Sequence, residues 1–120
     1  MNERGNMTGP ELEGQREKDL ALLAQIRRCS DVSKPHQIEH HFRADSRTGG
    51  IELLGWARLN GFQVSPLQEG RREGQRCYGF DLIKSTIPTL ENISPDTTLM
   101  LRLAAEFECT YDGWGCEVVP

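Results

Sequence analysis

Residues 36–44, HQIEHHFRA, alternate without a break. On an extended chain Ile38, His40, Phe42 and Ala44 fall on one side, and Gln37, Glu39, His41 and Arg43 on the other. A strand of this kind meets a core on one face only. The fold must therefore contain a sheet that is covered on one side and polar on the other. A second long strand is expected at RCYGFDLIKSTI, where Tyr78, Phe80, Leu82 and Lys84 share one face. Cys77, Gly79, Asp81 and Ile83 take its opposite face.

The segments around these strands supply the cover. Asp45 or Ser46 offers an N-cap to a helix through GIELLGWARLN, whose Ile51, Leu53, Leu54, Trp56, Ala57 and Leu59 make a wide apolar surface. Gly61 is a natural stop for it. FQVSPL reads as a short strand that Pro66 sends to a sheet edge, and QEGRREGQ as a polar connection. Ser94 before Pro95 marks the start of a further helix with Leu99, Leu103 and Phe107 in one stripe. YDGWGCEVV then forms a last strand with Trp114, Cys116 and Val118 on one face.

Upstream, Thr8 and Glu11 have the spacing of a capping box for a helix over ELEGQREKDLALLAQIRRC. Leu20, Leu23, Ala24 and Arg27 are expected on one face of it, Leu22 and Ile26 on a neighbouring one. Residues 1–10 read as a flexible tail and 11–120 as a single domain. The order after the first helix is strand, helix, strand, strand, helix, strand. That order defines an α+β class, a ferredoxin-like βαββαβ antiparallel sheet with two helices on one face, preceded by an extra N-terminal helix.

Charge narrows the function. The net charge is −4, and residues 91–120 carry Glu91, Asp96, Glu106, Glu108, Asp112 and Glu117 against Arg102 alone. Nucleic-acid binding calls for clustered Lys and Arg, so no direct nucleic-acid contact is expected, and the acidic end suits a basic protein partner. The four cysteines include no CxxC pair. MNERGNMTGP lacks the apolar run of a signal peptide and no stretch is long enough to span a membrane, so a reduced, cytoplasmic protein is expected.

His36, His40, His41 and Glu39 lie within six residues. Along a strand, however, His36 and His40 stand roughly 13 Å apart and His40 and His41 point to opposite faces. They do not converge as metal ligands must. No cofactor and no metal are expected. A small metal-independent ribonuclease using His40 or His41 is a third-ranked reading.

The end of the chain, YDGWGCEV at residues 111–118, resembles the closing signature of the regulator of ribonuclease activity B family. Asp31 and Pro35, IEHHF at 38–42 and NGF at 60–62 follow the family order, and the resemblance covers roughly residues 17–118. It implies the same ferredoxin-like fold and a non-catalytic protein that binds ribonuclease E and changes RNA cleavage by contact. His41, Arg43 and Ala44 stand where more aromatic residues are expected. A cytoplasmic immunity protein that neutralises a nuclease toxin is the alternative. Candidate partner-binding residues are Glu39, His41, Glu106, Glu108, Asp112, Gly113, Trp114, Gly115 and Glu117. A monomer or weak homodimer is expected.

Overall fold

The computed structural model describes residues 8–120. Three helices and five strands follow one another as α1 (Gly9–Cys29), β1 (His36–Ala44), α2 (Arg47–Leu59), β2 (Gln63–Val64), β3 (Gln68–Arg72), β4 (Gln75–Thr86), α3 (Leu90–Glu106) and β5 (Cys109–Gly115). The first seven residues of the expected tail lie outside the described residues, and Gly9 and Pro10 belong to α1. Thr8 caps that helix with a reciprocal box, its hydroxyl accepting from Glu11 N and its own N–H donating to the Glu11 carboxylate.

The strands lie in the order β2-β4-β1-β5, every pair antiparallel. This is the ferredoxin-like arrangement, with the two long strands β1 and β4 at its centre. Ser46 caps α2, as its position before the helix requires. α2 and α3 cover the face that carries Phe42, Ala44, Tyr78, Phe80 and Leu82, where they contribute Leu53, Leu54, Ala57, Met100 and Leu103. At the other end of that face Leu23 and Ile26 of α1 pack on Ile38, Ile93 and Trp114.

Four local expectations are corrected. QEGRREGQ is not a plain connection: Gln68–Arg72 pairs with β4 as a hairpin. Its turn residues Glu73 and Gly74 both have positive φ, 52° and 78°, the geometry of a tight hairpin turn. Every residue of β3 is exposed, so no apolar alternation announces it. β2 and β3 share the outer edge of β4, and Pro66, which has no N–H to donate, separates them.

The last helix starts one turn and more before Ser94. Thr89 is its N-cap, accepting from Asn92 N, and Pro95 lies inside the helix. Pro95 is on the exposed side, where the unpaired carbonyl of the preceding turn can face water. In α1 the inward stripe is Gln15, Asp19, Leu23 and Ile26, while Leu20 is 44% exposed and Ala24 and Arg27 also face outward. Polar residues complete the stripe because Asp19 has partners waiting in the interior.

The final strand ends at Gly115, and Val118 is 59% exposed instead of facing the helices. Within β5 the register slips: His40 pairs with Trp114 but Phe42 pairs with Tyr111. The extra residue is accommodated at Gly113, whose φ is 100°. Tyr111 and Trp114, an odd number of positions apart, are thereby both turned toward the helices.

Candidate partner-binding surface

The uncovered face of the sheet is built by the outward residues of β1, β4 and β5. Glu39 stands between Ile83 and Gly115, His41 beside Asp81, and Arg43 between Gly79 and Thr110. His41 Nδ1 is 2.7 Å from Asp81 Oδ1, and Arg43 Nη1 is 3.9 Å from Asp112 Oδ2. Arg43 Nη1 has no hydrogen-bond partner among the described residues. Two glycines leave the floor low. A side chain at Gly79 would meet only the Phe42 carbonyl, at 4.0 Å, and one at Gly115 only His41, at 3.7 Å. Shallow grooves of about 310 and 340 Å³ run over Gly79 beneath the β3–β4 hairpin.

This face gathers five of the nine candidate residues: Glu39, His41, Asp112, Gly113 and Gly115. Glu106 and Glu108 lie elsewhere, at the end of α3, where with Glu52 they rim a hollow beside the first turn of α2. Glu117 is exposed in the segment after β5, against α1.

Trp114 points the other way. It is 7% exposed, and its indole N–H donates to Asp19 Oδ1 at 3.0 Å. Asp19, fully buried, also accepts from Gln15 Nε2 at 2.9 Å and from the Thr97 hydroxyl at 2.7 Å. Nearby positions on the other elements are polar too. His40 Nδ1 is 2.9 Å from the Tyr111 hydroxyl, and Lys84 Nζ donates to Asp96 at 3.0 Å. On β1, β5 and α3 these residues sit between the members of the two apolar clusters, so a polar layer divides the core. Asp96 is therefore interior and paired and adds nothing to the acidic surface.

Burial sets the chemistry of that layer. It lowers the His40 pKa to about 4, with smaller contributions from the charges of His41 and Lys84, so the ring is neutral at pH 7. Burial, followed by the charges of Asp19 and Asp96, pushes up the Tyr111 hydroxyl. His40 and His41 face opposite sides of β1, one in the core and one on the open face, and do not serve a common site. His36 is also buried; its Nδ1 donates to the Lys34 carbonyl and its Nε2 accepts from the Ser30 hydroxyl. It holds the turn between α1 and β1.

Asp19, Thr97, Arg43 and Asp81 were not evident as contributors from the sequence. The one available signal for Asp19 is its place in the Gln15–Asp19–Leu23–Ile26 stripe, at i, i+4, i+8 and i+11.

An antiparallel sheet roofed by helices on one face and open on the other, with small residues and paired charges on the open side, defines an α+β domain that presents a surface. The chain belongs to the regulator of ribonuclease activity B family, whose model matches residues 16–116. It is 31% identical over 97 residues to the regulator of ribonuclease activity B of Pseudoalteromonas atlantica, covering 77% of this chain and 80% of that protein. The proteins of the same name from Salmonella typhi and Escherichia coli K12 are 29% and 28% identical over 118 residues, 91% of this chain and 81% of each relative. No helix among the described residues is long and apolar enough to cross a membrane.

Proposed function

We propose that this chain regulates a ribonuclease of the E type in the cytoplasm, binding it as a non-catalytic domain and lowering or redirecting RNA cleavage by contact. The family membership supports the regulatory role, since the relatives carry the name of regulators of ribonuclease activity. The observation that carries the reading is the open sheet face, where Glu39, His41, Asp112 and Gly115 adjoin bare backbone that a partner segment can approach. Glu106, Glu108 and Glu117 add an acidic rim that suits a basic partner and sets association rate more than affinity.

The test is a titration of purified ribonuclease E with this protein while cleavage of a defined RNA is followed. A saturable change in rate or in the pattern of cut sites, with a complex seen by gel filtration, is expected. Unaltered cleavage together with no complex at tens of micromolar would remove the proposal.

A further inference from the structure

All four cysteines are free thiols, and two of them, Cys29 and Cys116, line the same groove. Cys29 closes α1 and is exposed. Cys116 follows β5 in the segment that returns along that helix, where it packs against the cluster of Leu23 and Ile26. Both line one groove of about 180 Å³ with Leu22, Ile26 and Val118. The returning segment is tied to the helix end. Val119 N donates to Ser30 Oγ at 2.7 Å, and Asp31 N donates to the Val119 carbonyl at 2.8 Å. The thiols are close enough to interact electrically: after burial, charge on Cys29 is the next cause that raises the Cys116 pKa.

We propose that Cys29 and Cys116 form a site of thiol oxidation, which a peroxide converts into an intramolecular disulfide clasping the C-terminal segment to α1. Cys29, the exposed partner, reacts first. Its thiolate attacks one peroxide oxygen, the O–O bond breaks, and the departing hydroxide takes up a proton to leave as water. The product is a sulfenic acid at Cys29. Cys116 then attacks the Cys29 sulfur, the S–S bond forms, the S–O bond breaks, and a second water leaves. Two thiols lose two electrons and two protons, and hydrogen peroxide is reduced to two waters.

The division of roles follows from position. Burial raises the Cys116 thiol and shields it, which makes it the resolving partner, whereas Cys29 is open to the oxidant. Residues beyond Gly115 lie outside regular strand structure, which leaves room for the adjustment that disulfide geometry demands. Cys109 is the poorest competitor, its thiol pushed up to about 11 by burial and the nearby charges of Asp45 and Glu108. Cys77 lies in β4 near the hairpin, among the residues lining the groove on the open sheet face.

The experiment treats the reduced full-length chain with hydrogen peroxide, alkylates it, and measures intact mass and crosslinked peptides. Trypsin leaves Cys109 and Cys116 in one peptide, residues 103–120, so chymotrypsin is added to cut between them. A loss of about 2 Da per monomer is expected. The expected peptide joins Cys29 to Cys116, and dithiothreitol reverses the link. Cys29→Ser and Cys116→Ser each abolish it, while the double variant Cys77→Ser/Cys109→Ser retains it. A link through another pair, a disulfide between chains, or over-oxidised but unlinked cysteines would overturn the proposal.

Discussion

Asp19 shows how much a single side chain can decide. It is a carboxylate with no exposure whose oxygens accept from Gln15, Thr97 and Trp114. Replacing it by alanine takes away the acceptor of the Trp114 indole and of the Gln15 amide, while the Thr97 hydroxyl keeps the Ser94 carbonyl at 3.2 Å. Asp19→Ala is expected to lower unfolding free energy by about 1–3 kcal/mol, measured by urea denaturation. A loss below about 1 kcal/mol would mean that those donors find other partners. His40 makes a prediction in pH. Its folded pKa, about 4, lies below the ordinary value of 6.5, so between these limits the unfolded chain binds the proton more readily. Its contribution is complete above pH 6.5 and is lost as pH falls toward 4. About 3 kcal/mol of stability should disappear over that interval, and His40→Gln should flatten the profile. An equally steep profile in the variant would place the slope on another group. The inward side of β1 was readable for His40. Asp19 could not be assigned its role from the sequence, because a buried acid and a solvated one look alike until its partners, 78 and 95 positions away, are known.

At the scale of elements, strand alternation and the caps at Thr8 and Ser46 were readable, and features set by distant partners were not. The alternation of His36–Ala44 and Gln75–Thr86 and the stripe of α3 depend only on near neighbours, so they could be read directly. The β3 hairpin, the bulge in β5 and the start of α3 depend on which strand lies alongside or which of two caps wins. Ser94-Pro95 has the form of a helix start, but Thr89 caps a turn earlier and Pro95 is carried within the helix. Because the proline is exposed and withholds a helix hydrogen bond, Pro95→Ala is expected to stabilise the fold by about 1–2 kcal/mol. A shift of the urea midpoint to higher concentration would show it; a shift downward would mean that the proline's rigidity matters more. Gly113 works in the opposite direction. Its φ of 100° excludes ordinary side chains, so Gly113→Ala should cost about 1–3 kcal/mol. The near-ultraviolet signal of Trp114 should weaken as its alignment with Asp19 is disturbed. An unchanged signal and stability would show that the bulge can move.

For the whole molecule, the sequence disclosed the sheet, its covered face and the family, but not how its charged residues are distributed. The nine candidate residues, two in β1 and seven between positions 106 and 117, divide among the open sheet face, the end of α3, the C-terminal segment and the core. Chain proximity says nothing about side, since one residue along a strand reverses the direction of the side chain. This division makes the proposed contact testable by region. Reversal of Glu106 and Glu108 to lysine should slow association with ribonuclease E about tenfold at low salt, with little effect on melting. Reversal of Glu39 and Asp112 should mainly speed dissociation, because they stand on the face proposed to receive the partner. Surface plasmon resonance separates the two effects, and equal rates for both variants and the parent would move the interface elsewhere.

The bond between Trp114 and Asp19 also has a consequence in time. It joins the first helix to the last strand across 95 positions, and β5 closes the sheet by adding to the free side of β1. On the ribosome α1 is made before the other elements, and its Asp19 has only Gln15 of the same helix as a partner until α3 and β5 emerge. The Asp19 contacts with Trp114 and Thr97 therefore form late in synthesis, and the complete fold can close only when nearly the whole chain is available.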